Sequence, residues 1–413
     1  MNLYLQKKHI IPIYLCFSGL GSIVQPMLLM GCTIALFDID KSGVSAAYLE
    51  PARLLGISCT GLLGVFFIKF FSSYNTIVKY ILLLTLCTLL GFLLYNEVNI
   101  RSAAIAIWAL SCLFSMIHPI SITCINTQIE TAEKPFFFST CQIFSQGLNI
   151  LAPKLANILL ANFGFKSLLL FCILINILRI LVWKQLDAIK VATKEERMQK
   201  YGMLTGFKEI VQNPGLLWMI SFRIISHIGI VAYTISLPII AAEIANGNSQ
   251  IHAQLFSHNM SINNLAFIVS GIWGSWQLKR NPKLIIYFFN ISPMLIVLAA
   301  IIAFYARQPL YLQITALFYG AGLYFFRTAT STIAQALTKK NKLAYAILAG
   351  DGTVKFFAYG ISYLMPLWVV LPPIWGIAHP FVGCILCSLL SLRIAKPIVK
   401  MYLSSLRKEN SVK

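Results

Sequence analysis

Apolar stretches long enough to cross a bilayer recur twelve times along these 413 residues, near 11–37, 43–68, 80–96, 102–124, 136–161, 167–184, 215–242, 257–277, 284–306, 309–333, 343–371 and 374–393. A lipid-crossing helix needs about 20 apolar residues. Inside lipid every backbone N–H and C=O must be paired within the protein, and a helix achieves that within each span. The pattern predicts an all-α membrane protein with twelve transmembrane helices. Charged residues make up only 11% of the chain, against roughly 25% in soluble domains. That depletion excludes a soluble enzyme, a disordered chain and a disulfide scaffold.

The spans fall as six and six. Between them, residues 185–214 collect basic and acidic side chains and read as a linker, within which 206–214 has the pattern of a short amphipathic surface helix. The division expected is a bundle over 1–184, a cytoplasmic linker over 185–214 and a second bundle over 215–413 with a cytoplasmic tail. With the N-terminus placed inside, 24 Lys and Arg fall on the inner side and four, Lys41, Arg101, Lys166 and Arg307, on the outer. This bias sets orientation and predicts both termini in the cytoplasm. It also accounts for most of the net charge of +20. Because the basic residues lie between apolar stretches and not on a soluble face, no nucleic-acid partner is expected. The stretch 10–37 is too long for a secretory signal and reads as a retained first helix.

Five basic residues remain inside the spans: Arg53, Lys154, Arg223, Arg327 and Lys355. Two acids accompany them, Glu50 and Asp351. A charge at the bilayer centre costs on the order of 2.5–3.5 kcal/mol even on insertion scales, so such residues are paired or face a water-filled cavity. Glu50 and Arg53 are three apart, Asp351 and Lys355 four apart, and each couple can share a helix face. Lys154, Arg223 and Arg327 have no acid within a turn, which leaves a surplus of three positive charges. An anionic ligand would complete such an interior; snorkelling to an interface is the alternative. Spans 3, 9 and 12 hold no charge away from their ends, and span 6 holds only Arg179 near its inner end. The third helix of each triplet therefore reads as lipid-like.

Six plus six helices, both ends inside, a charged central loop and apolar third, sixth, ninth and twelfth helices resemble the major facilitator superfamily over essentially the whole chain. The resemblance implies two six-helix bundles rocking around a central midplane cavity, with the surplus cations lining it. The family's G-x-x-x-D-R-x-G-R-R loop is reduced here to Gly64 and Lys69, with Ile68 where the acid belongs; the stretch 274–280 lacks the acid too. Ala152-Pro153-Lys154 in helix 5 looks like a degraded form of the exporters' G-P-x-x-G-G kink and leans toward export. Residues 111–118 can be laid against 320–327, which puts His118 and Arg327 in related places.

No G-x-x-x-x-G-K-S/T phosphate loop occurs, and no polar segment is large enough for a nucleotide domain. Energy must come from an ion gradient or from the cargo's own gradient. The function expected is secondary active transport of a small organic anion, as a proton-coupled exporter (an antiporter) of a carboxylate-type siderophore or similar metabolite. Arg53, Lys154, Arg223, Arg327 and Lys355 are the expected substrate-binding residues; Glu50, Asp351 and His118 are the expected proton-coupling residues. No catalytic residue, metal or cofactor is expected. The partners are the anion, protons and the bilayer, and the chain is expected to act as a monomer in the bacterial inner membrane. Metabolite import and multidrug efflux are competing readings. A polytopic membrane enzyme is weaker, because Asp38, Asp40, Glu130 and Glu133 have no His beside them.

Overall fold

A computed structural model describes residues 2–71, 73–95, 97–126, 134–190, 204–281, 284–304, 306–338, 343–369 and 378–411. The chain runs through α1 (Asn2–Asp40), a short α2 (Val44–Ala47), α3 (Leu49–Phe70), α4 (Tyr74–Tyr95), α5 (Ile100–Asn126) and α6 (Lys134–Lys190). The short α7 (Thr205–Gln212) leads into α8 (Pro214–Ala245), α9 (Ser249–Arg280), α10 (Ile285–Phe304), α11 (Pro309–Leu337), α12 (Leu343–Val369) and α13 (Ala378–Ser411). With α2 and α7 set aside, α6 supplies two spans and the rest one each, in agreement with twelve. A straight helix of 57 residues would be about 85 Å long, far beyond a bilayer. Gly164 turns it back, with φ 76° and ψ 179°, a conformation open to glycine because it has no Cβ.

Local chemistry sets the helix starts. The N–H groups of Gly215 and Leu216 donate to Asn213 Oδ1 at 3.0 and 3.4 Å, and Pro214 takes the first helical position of α8, where its missing N–H is harmless. The Asn213 amide also donates to the Leu337 carbonyl at 2.7 Å, tying the start of α8 to the end of α11. Asn248 caps α9 in the same way, accepting from Gln250 and Ile251. The amphipathic segment of the linker is α7, which packs onto α8 and α12 through Phe207 and Ile210, set against Ile220, Ala349 and Val354.

Helices α1 to α6 pack among themselves, as do α8 to α13, and the two groups meet along α3 against α12 and α6 against α9. In the second seam Ser261 donates to the Ile150 carbonyl at 3.1 Å and Asn264 to the Asn149 carbonyl at 3.0 Å. Corresponding helix pairs cross alike. A Cβ on Gly56 of α3 would lie 2.2 Å from the Trp108 carbonyl oxygen and 3.0 Å from Ser111 Cβ of α5. A Cβ on Gly320 of α11 would lie 2.2 Å from the Asn263 carbonyl oxygen of α9. In each half a glycine thus lets the second and fourth spans cross closely.

The third helix of each triplet turns large apolar side chains outward: Leu83 and Leu94 on α4, Leu174 and Leu181 on α6, Tyr287 and Met294 on α10, Leu386 and Leu389 on α13. Lipid is the medium in which such faces are stable. Several helices outrun their apolar stretches: α1 begins at Asn2 where the pattern begins at 11, and α13 runs to Ser411 where it ends at 393. The hydropathy pattern starts span 8 at 257, yet α9 begins at Ser249. Its first turns bury His252 and Asn259, polar residues that interrupt an apolar pattern but are held by carbonyls, Asn259 donating to Leu312 at 2.7 Å.

Candidate functional site

Charged side chains from α3, α8, α11 and α12 converge between the two groups of helices. In the first turn of α3, Arg53 grips Glu50 with both arms of its fork, Nε to Oε2 at 2.7 Å and Nη2 to Oε1 at 2.6 Å. This is the pair that their spacing predicts. The other predicted pair is corrected. Asp351 of α12 accepts from Arg223 Nη2 of α8 at 2.5 Å, not from Lys355. Sequence spacing reveals only neighbours on one helix, whereas the packing of α8 on α12 brings a longer guanidinium to the same carboxylate.

Two cations are left without an acid among the described residues. Lys355, one turn beyond Asp351, lies in the electrostatic fields of Arg53, Arg327, Glu50 and Arg223. Arg327 of α11 sets its guanidinium 5.6 Å from the ring centre of Phe267 on α9, a contact in which the ring quadrupole favours the cation. Arg327 is exposed to solvent although protein atoms surround it. Both hold together when a side chain stands in a cavity wide enough for water. Tyr319 of α11 acts on Arg53 and on Arg327 and stacks on Tyr233 of α8, ring centres 4.1 Å apart. The cluster therefore holds Arg53, Arg223, Arg327 and Lys355 against Glu50 and Asp351.

The other expected site residues lie elsewhere. Lys154 is exposed on α6, three residues after Leu151 and four before Ile158, which are 50% and 54% exposed. Residues at those spacings share a helix face, so Lys154 lies on an exposed face of α6, and it is not among the groups that act on the cluster's charges. The surplus of three becomes two. His118 lies on α5; its side chain is outside the described residues.

Two buried groups escape a reading by composition. Arg179, counted by sequence among the inner-side charges near the end of span 6, is 2% exposed. Its guanidinium sits 5.0 and 5.3 Å from the ring centres of Phe17 and Phe114, and its Nε and Nη1 are enclosed without a partner. A periodic signal did exist, since Asn176, Arg179 and Trp183 recur at helical spacing and all three are buried. His227 is the second. It lies one turn after Arg223, with Nδ1 2.8 Å from the Arg223 carbonyl and its ring edge-on to Phe326 at 5.5 Å.

At the face carrying the α1–α2 and α8–α9 turns, the two halves are latched. Lys41 donates to Asp38 at 3.2 Å and to Ser249 of α9 at 2.6 Å. Phe37 of α1 stacks on His252 of α9 with ring centres 3.8 Å apart, and His252 Nε2 lies 3.3 Å from the Pro238 carbonyl.

The sequence profile described as Major Facilitator Superfamily matches residues 10–363. No curated protein matches the chain. Among solved structures, the POT family transporter PepTSo superposes with a TM-score of 0.68 at 10% identity, covering 98% of this chain and 98% of that one. The nucleoside transporter NupG gives 0.65 at 16% identity, covering 97% and 99%. A mutant form of NupG gives 0.61 at 13% identity, covering 98% and 99%. At these identities the likeness is one of fold.

Proposed function

Since the chain belongs to the major facilitator superfamily and is a secondary transporter, not an enzyme, we propose that its cargo is a small organic anion with two negative charges, bound between Arg327 and Lys355. The unequal state of four cations around one cavity carries this reading. Arg53 and Arg223 each hold a carboxylate, while Arg327 and Lys355 hold none among the described residues. Uncompensated charge away from bulk water is costly, and a dicarboxylate or a citrate-like chelator supplies the missing charge. The guanidinium fork matches a carboxylate plane, and the ammonium acts as a point charge. A lipophilic cation finds no free acid in the cluster, because Glu50 and Asp351 are already engaged.

The positive-inside bias places the α7 face in the cytoplasm and the Lys41 latch outside. Alternating access then requires the Lys41–Ser249 and Phe37–His252 contacts to part while the seams of α3 with α12 and α6 with α9 rock. The narrower expectation of chelator export leaned on the Ala152-Pro153-Lys154 kink; with Lys154 apart from the cluster, the cargo reading rests on the four cations alone. The test is reconstitution into proteoliposomes with labelled succinate, labelled citrate and a cationic dye. Anion accumulation that fails in Arg327→Met and Lys355→Met supports the assignment. Preference for the dye, or unimpaired anion uptake in both variants, refutes it.

A further inference from the structure

We propose that His227 is the proton-binding group of the transport cycle, and that the proton and the anion cross together; this rests on the anionic cargo proposed above. Among the described members of the charge cluster, His227 and Lys355 are the side chains able to exchange a proton without leaving an ion pair, and Lys355 is assigned above to the cargo, which leaves the imidazole for the proton. Glu50 accepts two bonds from Arg53 and Asp351 one from Arg223, so a proton reaching either would first have to displace a guanidinium. The His227 ring is anchored differently. Its Nδ1–H donates to the Arg223 carbonyl of its own helix, which leaves Nε2 with a free lone pair. Among the described residues Nε2 has no hydrogen-bond partner, and it is not among the unpartnered atoms closed off from solvent.

The charged groups acting on the ring are Arg223 on its own helix, Lys355 on α12 and Arg327 on α11. Asp351 on α12 is occupied by Arg223. From α13 comes Ser391, bonded to the preceding residue Ser226, and Phe326 of α11 covers one edge. Three cations and no free anion surround Nε2 while the cavity is empty. An anion seated between Arg327 and Lys355 reverses that local balance. A proton on Nε2 and the bound anion attract each other, so each strengthens the binding of the other by the same factor.

Ligands that help each other bind are carried in one direction; exchange in opposite directions requires that they exclude each other. The geometry therefore points to cotransport of proton and anion, not to the antiport expected from sequence. One proton adds from water to the Nε2 lone pair as the anion docks, and it leaves to water when the anion departs on the far side. A dianion moves with one proton, and no covalent bond in the cargo changes.

The test uses the full chain in proteoliposomes, with labelled succinate and citrate as probes and a trapped pH dye. In the wild type an inward proton gradient should stimulate uptake on the order of tenfold, and succinate uptake without an imposed gradient should acidify the lumen. In His227→Gln the stimulation and the acidification should vanish, while exchange of labelled for unlabelled succinate reports a folded carrier. His227→Lys, a fixed cation, serves if the glutamine variant does not fold, and should show exchange without gradient stimulation. Retention of gradient-driven uptake by either folded variant overturns the assignment of the proton to His227. Absence of succinate and citrate exchange in the wild type defeats instead the cargo reading, and this inference with it.

Discussion

Replacing Glu50 with glutamine should lower the stability of the empty protein and raise its affinity for a dianion. The carboxylate accepts two charge-assisted bonds, at 2.6 and 2.7 Å, and the side chains of Arg53 and Glu50 are 26% and 11% exposed. Removing one partner of a buried pair costs about 3–5 kcal/mol. The partial exposure of Arg53 and the acceptor oxygen kept by glutamine reduce that to about 2 kcal/mol. For bundles of this size the loss corresponds to a fall of about 5 °C in Tm. The released guanidinium faces the cluster as a third uncompensated cation. Coulomb attraction across roughly 6 Å at an effective dielectric of about 20 is about 3 kcal/mol, so even with half of it screened the anion should bind about tenfold more tightly. Thermal unfolding in detergent, titrated with succinate, reads both effects at once. The variant should start lower and recover more per decade of succinate than the wild type. Replacing both members, Glu50→Gln with Arg53→Met, should restore much of the stability while affinity stays below that of the single variant. A destabilised Glu50→Gln whose succinate midpoint equals the wild type's would refute the reasoning, because Arg53 would then not face the cargo.

Lys154→Leu should leave succinate affinity within about twofold and not harm stability, since it replaces a charge on an apolar face; a loss comparable to that of Lys355→Met would return Lys154 to the binding site. Gly21→Ala should destabilise by about 1–3 kcal/mol, because the added Cβ would lie 2.6 Å from Arg179 Nη2. Adding Arg179→Met should recover most of that loss, and thermal unfolding of the double variant checks it. Cysteines at 41 and 249 in a cysteine-free background, joined by a short cleavable bifunctional thiol reagent that replaces the reach of the lysine, should stop transport until the bridge is cleaved. Uninterrupted transport by the cross-linked protein would mean that the Lys41 latch does not open. Asn213→Ala removes a helix cap and a tie to α11 and should cost about 1–2 kcal/mol, read by the same unfolding assay.

The helix count, the positions of the spans and their lipid-like third members are one-dimensional properties. They follow from runs of apolar residues whose length the bilayer sets, and a single chain displays them without its neighbours. Glu50 and Arg53 were legible for the same reason, since three residues along a helix is a fixed distance. Even there the limits show. His252 lies in the part of α9 that precedes its apolar pattern, and its ring nitrogen meets a carbonyl that no local spacing announces.

Sequence alone determined that this chain is a twelve-span membrane protein with more cations than acids in its spans, because hydrophobicity and charge need no partner to be counted. Which cations remain uncompensated was decided only when helices met. The packing of α8 on α12 gave Asp351 to Arg223 and freed Lys355, the two spans of α6 left Lys154 exposed and Arg179 buried, and the convergence of α8, α11 and α12 placed His227 among charges a hundred or more residues away. Electrostatic energy depends on distance through space and on the medium between the charges, and neither is written along the chain.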